Sequence, residues 1–234
     1  MTVIESRLPE IEDLVLRSGG HASTKDAFCV MEAVAYVAGE SWSDHPQCAC
    51  PVLTSFMVSW NDGLNDEDRQ KLKPYIVRLV GTRSTREVEL RRSWMACDWL
   101  VRTFTPAWLR LAGLTEDAAA LEALPELTST ELVDAALPMI DKAKKNAAAA
   151  WAAARAAARA AAWDAARAAA WAAAWDAAWD AAWAAARAAA WAAARAAARA
   201  AAGAALTPTV SALQASAFDL LDRMIAVTPE SIAA

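Results

Sequence analysis

The sequence predicts an all-α protein: a compact helical head, a long Ala-rich helix with Trp or Arg at every fourth residue, and a C-terminal helix returning after Gly203. Three observations lead there. No period-2 run of β-branched residues, the mark of a half-buried strand, occurs anywhere in the 234 residues. Apolar residues in the first 128 positions recur at helical spacing, punctuated by capping residues, Pro and Gly. From Ala147 to Ala202, 40 of 56 residues are alanine, the strongest helix former. The expected domains are 1–128 for the head, 129–203 for the long helix with its tetrad repeat, and 204–234 for the last helix.

Each element follows from local signals. Ile11, Leu14 and Val15 share one face of a helix expected from Pro9 to Arg17 and stopped by Gly19-Gly20. Ser23 or Thr24 is the expected cap of a helix running through Ala27, Val30, Val34 and Val37 to Gly39. After a polar loop, Pro51 suits the first turn of a helix to Trp60, broken at Asn61-Asp62-Gly63. Asn65 caps an acidic turn, Asp66-Glu67-Asp68, which favours a helix N-terminus electrostatically. Leu72, Tyr75, Ile76 and Leu79 continue that face, with Pro74 a bend or restart. Residues 84–104 read as a longer, heavily apolar helix expected at the centre of the head. Pro106 restarts a segment ending at Gly113, residues 116–123 are helical, and Leu124-Pro125 turns. Ser129 or Thr130 caps the next helix, where Pro138 is expected to introduce a kink. Thr207-Pro208 opens a last helix to about residue 226, with Val210, Leu213, Leu220, Leu221, Met224 and Ile225 inward.

The repeat is strict. Every fourth residue from Trp151 to Arg199 is Trp or Arg, and seven of the twelve tryptophans lie here. As one helix, 56 residues would extend roughly 84 Å at 1.5 Å per residue, well beyond a head whose radius of gyration would be about 15 Å. A four-residue step turns about 400°, so successive positions drift by roughly 40°. Trp171, Trp175, Trp179 and Trp183 then share a central face, while Arg155, Arg159, Arg167, Arg187, Arg195 and Arg199 share another. The tract is close to a palindrome about Ala177: Trp175 mirrors Trp179, Trp171 mirrors Trp183, and Arg155 and Arg159 mirror Arg199 and Arg195. Antiparallel pairing of two copies would set like residues opposite one another, as a two-fold interface requires. Replication slippage is an alternative origin for such a repeat, with the same physical consequence. The expected interaction residues are Trp171, Trp175, Trp179, Trp183, Arg155, Arg159, Arg195 and Arg199, and the expected partner is a second copy of the chain. A host protein or an anionic ligand is the further possibility.

The net charge of −5 hides a split: residues 1–146 carry −6, the tract 147–202 carries +3 and the remainder −2. An acidic head without a dense Lys/Arg stripe argues against general nucleic-acid binding, which depends on counterion release. The start of the chain lacks the pattern of a signal peptide, so a cytoplasmic location and reduced cysteines are expected. The alanine tract fails as a transmembrane segment. Its best arginine-free window, 168–186, holds Asp176 and Asp180, whose insertion would cost roughly 5–7 kcal/mol. Interfacial binding to a membrane through Trp and Arg is a separate alternative.

Two chemical readings attach to the head. His21, Cys29, Cys48 and Cys50 supply the imidazole and thiolate donors that zinc takes in a closed tetrahedral site, but their H-x7-C-x18-C-x-C spacing lacks the usual knuckle. Alternatively, Cys29 is a nucleophile with His21 or His45 as base and Glu32 as the group orienting it. The plainer reading makes Cys29 and Cys97 buried, inert thiols in apolar stretches. Glu32, Glu40, Asp44 and His45 read as a polar pocket or a solvated helix face. Arg83, Arg86, Arg91 and Arg92 read as an anion-binding group or ordinary exposed helix charges.

The stretch Gly20-His21, Cys29-Val-Met-Glu-Ala-Val-Ala-Tyr-Val-Ala-Gly-Glu40 and Ser43-Asp-His-Pro-Gln-Cys48-Ala-Cys50-Pro-Val resembles a family of small bacteriophage and bacterial proteins, actinobacterial ones included. Leu72-Lys-Pro74, Gly81-Thr, Pro106-Ala-Trp-Leu, Ala112-Gly-Leu and the Ala-rich tail with Trp, Arg and Asp fit the same pattern. The resemblance implies a bacterial or phage setting and brings with it no catalytic or binding residue. The function expected is that of a non-enzymatic, oligomerising interaction protein, for instance a phage accessory factor that binds or sequesters a host component. No cofactor is expected on that reading; zinc belongs to the alternative in which the Cys/His head is metal-stabilised or a small cysteine-dependent enzyme.

Overall fold

The computed structural model describes residues 3–23, 27–150, 152 and 205–233. These are helical, with no strand among the described residues and one isolated parallel bridge between Leu16 and Phe28. The elements are α1 (Leu8–Asp13), α2 (Val30–Ala38), α3 (Pro51–Gly63), α4 (Asp66–Arg69), α5 (Tyr75–Leu79), α6 (Arg86–Trp99), α7 (Thr105–Leu111), α8 (Thr115–Glu122), α9 (130–150), α10 (205–226) and α11 (Pro229–Ala233). The chain forms two compact units, Met1–Asp98 with Ala217–Ala234, and Trp99–Ser216.

The first unit is built around α2. Seven of its nine residues are buried, including Val30, Met31, Ala33, Val34 and Val37. Three valines lower intrinsic helix propensity, so this short helix depends on its ends. Cys29 caps the N-terminus. Gly39 closes the C-terminus at φ +73, where its N–H reaches the carbonyls of Ala35 and Tyr36. Against α2 pack α3 and α5, with Leu53, Met57, Ile76 and Leu79 fully buried, and Leu220, Leu221 and Met224 of α10 are fully buried in the same unit. Phe218 stacks on Tyr75 with ring centroids 5.6 Å apart and meets Trp60 at 4.6 Å.

Two buried arginines hold helix ends in this unit. Arg69 donates to the carbonyls of Asn61 and Leu64 at the close of α3. Arg92, 3% exposed, donates to Thr82 O at 2.7 Å, Met224 O at 2.8 Å and Val227 O at 3.0 Å. Carbonyls at a helix C-terminus lack intrahelical donors and carry partial negative charge. A guanidinium, with donors in a fixed fork, matches that need. The sequence reading of Arg92 as an anion-binding or exposed charge is therefore corrected: its donors are spent on backbone.

The second unit contains α7, α8, α9 and most of α10. Leu109, Ala118, Leu121, Leu127, Ala136, Ala143 and Leu213 are buried. Arg110 pairs with Glu122, Asn146 donates to Asp117 at 2.8 Å, and the Trp99 indole donates to Ser216 at 2.8 Å. Between α6 and α7 the helix widens into one π-type stretch, Leu100–Phe104. Pro106 has no N–H to give and its ring crowds the carbonyl four residues back. The neighbouring Thr105 sends both its N–H and its hydroxyl to Leu100 O.

Several boundaries differ from those expected. The first helix stops at Asp13, because Leu14 turns extended and Arg17 N–H pairs with Phe28 O at 2.8 Å. Helix α2 starts at Val30, later than a Ser23 or Thr24 cap would place it. Helix α3 runs on through Asn61-Asp62-Gly63. The apolar helix from residue 84 is not central: α6 buries Val88 and Arg92, while Leu90 is 51% exposed. Cys97 is half-buried rather than core. Pro138, where a kink was expected, lies inside α9 (130–150). The head expected over 1–128 divides at Asp98–Trp99, and residues 217–234 join the first unit through Phe218 and the Arg92 contacts.

Candidate functional site

The polar residues of the head converge at the N-terminus of α2. Cys29 adopts the extended backbone of a capping residue (φ −80, ψ 167), and its Sγ accepts the Glu32 N–H at 3.4 Å. Glu32 Oε2 in turn accepts the Cys29 N–H at 2.7 Å. This is a capping box with a thiol in place of the usual hydroxyl. The same carboxylate holds the preceding loop: Oε1 accepts His21 N–H at 2.6 Å, and Oε2 lies 2.8 Å from His21 Nδ1. Glu32 is 2% exposed, so these donors replace the water it has lost. Asn61 completes the fastening, accepting from Val30 N–H at 3.2 Å and donating to Arg17 O at 2.8 Å.

The loop after α2 closes over this network. The Trp42 indole donates to His21 O at 2.7 Å, and its ring meets Phe28 edge to face at 4.8 Å. Gly20 lies between two carboxylates: a Cβ there would be 3.9 Å from both Asp44 Oδ2 and Glu32 Oε1. His45 Nδ1 lies 2.7 Å from Asp44 Oδ1, on the exposed side.

The structure thus joins Cys29, His21 and Glu32, the trio expected for nucleophilic catalysis, but in a different order. Glu32 is the hub, and the thiol serves the helix. Burial, first, and the neighbouring Glu32 charge push the Cys29 thiol up to about 12, whereas a nucleophile needs the thiolate. His21 Nδ1 is taken up by Glu32 Oε2 at 2.8 Å.

The zinc set is not assembled. Among the described residues no group of three or more His, Cys, Asp or Glu is disposed to hold a metal ion. Cys29 is taken up with Glu32. Cys48 lies near Glu40, whose Oε2 accepts Gln47 N–H, and burial followed by that carboxylate raises its thiol. Cys50 opens α3, its N–H bonded to Thr82 Oγ1 at 3.0 Å. Glu32 and Glu40 are likewise not a solvated helix face. The expected interaction residues Trp171, Trp175, Trp179, Trp183, Arg155, Arg159, Arg195 and Arg199, and the centre of the near-palindrome at Ala177, lie outside the described residues.

Sequence reasoning missed a small cavity beside α1 and α2, lined by Glu10, Ile11, Leu14, Phe28 and Tyr36. Its signal was faint: Glu10 and Tyr36 lie 26 positions apart and meet through one hydrogen bond. No protein-family model, curated protein or solved structure matches the chain.

Proposed function

We propose that the protein is a non-enzymatic helical interaction protein that self-associates through residues 147–202. The observation that carries this reading is the repeat itself: thirteen Trp or Arg positions at strict four-residue spacing on an alanine background. Alanine permits close backbone approach, and each exposed Trp offers around 200 Å² of mostly apolar area that association would remove from water. The near-palindrome about Ala177 suits antiparallel pairing of two copies, with Trp171, Trp175, Trp179 and Trp183 at the centre. Arg155, Arg159, Arg195 and Arg199 flank them, available to a host protein or an anionic ligand.

The head supports the reading by how its reactive groups are used. The Cys29 thiol and the Glu32 carboxylate are engaged in closing a helix end and a loop. The family resemblance adds a setting, the cytoplasm of a bacterium or phage-infected host, in which an accessory factor would bind or sequester a host component. No helix among the described residues is long and apolar enough to cross a membrane.

Sedimentation velocity of the full chain across a concentration series tests the proposal, alongside a variant with Trp171, Trp175, Trp179 and Trp183 all changed to Ala. The expected result is concentration-dependent association that the variant loses while keeping its far-ultraviolet helix signal. Equal sedimentation of the two, with neither associating, refutes it.

A further inference from the structure

We draw no further inference here: the strongest candidate, the apolar face of α6 that carries Leu90, Trp94 and Cys97 opposite the buried Val88 and Arg92, is a helix face for which nothing in the structure shows what covers it.

Discussion

Cys29 occupies a position where Ser, Thr, Asp or Asn would be the common choice, and its thiol does the work of a hydroxyl. Replacing it by Ser is expected to leave stability near the wild-type value, and replacing it by Ala to cost about 1 kcal/mol, the usual value of a cap. Urea unfolding of the two variants checks this. The pH dependence has a definite sign. The thiol rises from 9.0 to about 12 on folding, chiefly through burial, so the folded state holds its proton more tightly. Its contribution to stability is complete below pH 9 and is lost as pH climbs from about 9 toward 12. Cys48 and Cys97 are raised in the same direction by burial. The urea midpoint should therefore fall between pH 8 and pH 11, and fall less in Cys29→Ser; an equal fall in both would assign the loss elsewhere. The separation of His21, Cys29, Cys48 and Cys50 carries a second expectation. Elemental analysis should find no stoichiometric zinc, and Cys48→Ser should not release metal together with structure.

At the scale of the element, helix ends were legible where the signal is local. Asn65 caps α4 through Asp68 N–H at 2.9 Å, Pro51 opens α3, and Gly39 closes α2. Each depends on backbone geometry that its own residue type decides. Ends set by distant partners were not legible. α1 stops early because Leu16 and Arg17 turn toward Phe28, and no pattern within residues 9–17 encodes that meeting. Arg92 looks like a surface charge in sequence because its partners, Met224 and Val227, lie more than 130 positions away. The capping box at Cys29 went unread because Cys is seldom a cap, although Glu32 three residues on was the sign of it. Arg92 offers a direct test of what joins residues 217–234 to the first unit. Arg92→Lys keeps the charge but loses the fork, leaving buried carbonyls short of donors at a cost of about 1–3 kcal/mol. Its unfolding transition should move to lower urea by that amount, and truncation after Ser216, which removes Phe218 from Trp60 and Tyr75, should change the near-ultraviolet absorbance of those two rings. A wild-type transition in Arg92→Lys would show that these bonds are not what fastens the terminus.

For the whole molecule, the described residues before and after the repeat pack as ordinary helices, and the proposed association is assigned to the repeat. The head's acidic, reactive-looking residues resolve into fastenings of loop and helix, which is why their spacing suggested chemistry while their geometry serves structure. The faces expected of the repeat follow from its four-residue period alone, because the repeat lies almost wholly outside the described residues. Light scattering of the purified full chain at micromolar concentration measures its consequence directly. A mass that is a multiple of 24.9 kDa, returning to 24.9 kDa when Trp171, Trp175, Trp179 and Trp183 are changed to Ala, is the expected result. A mass of 24.9 kDa for the wild-type chain, with tryptophan fluorescence already shifted to the blue, would contradict it and assign those tryptophans to packing within one chain.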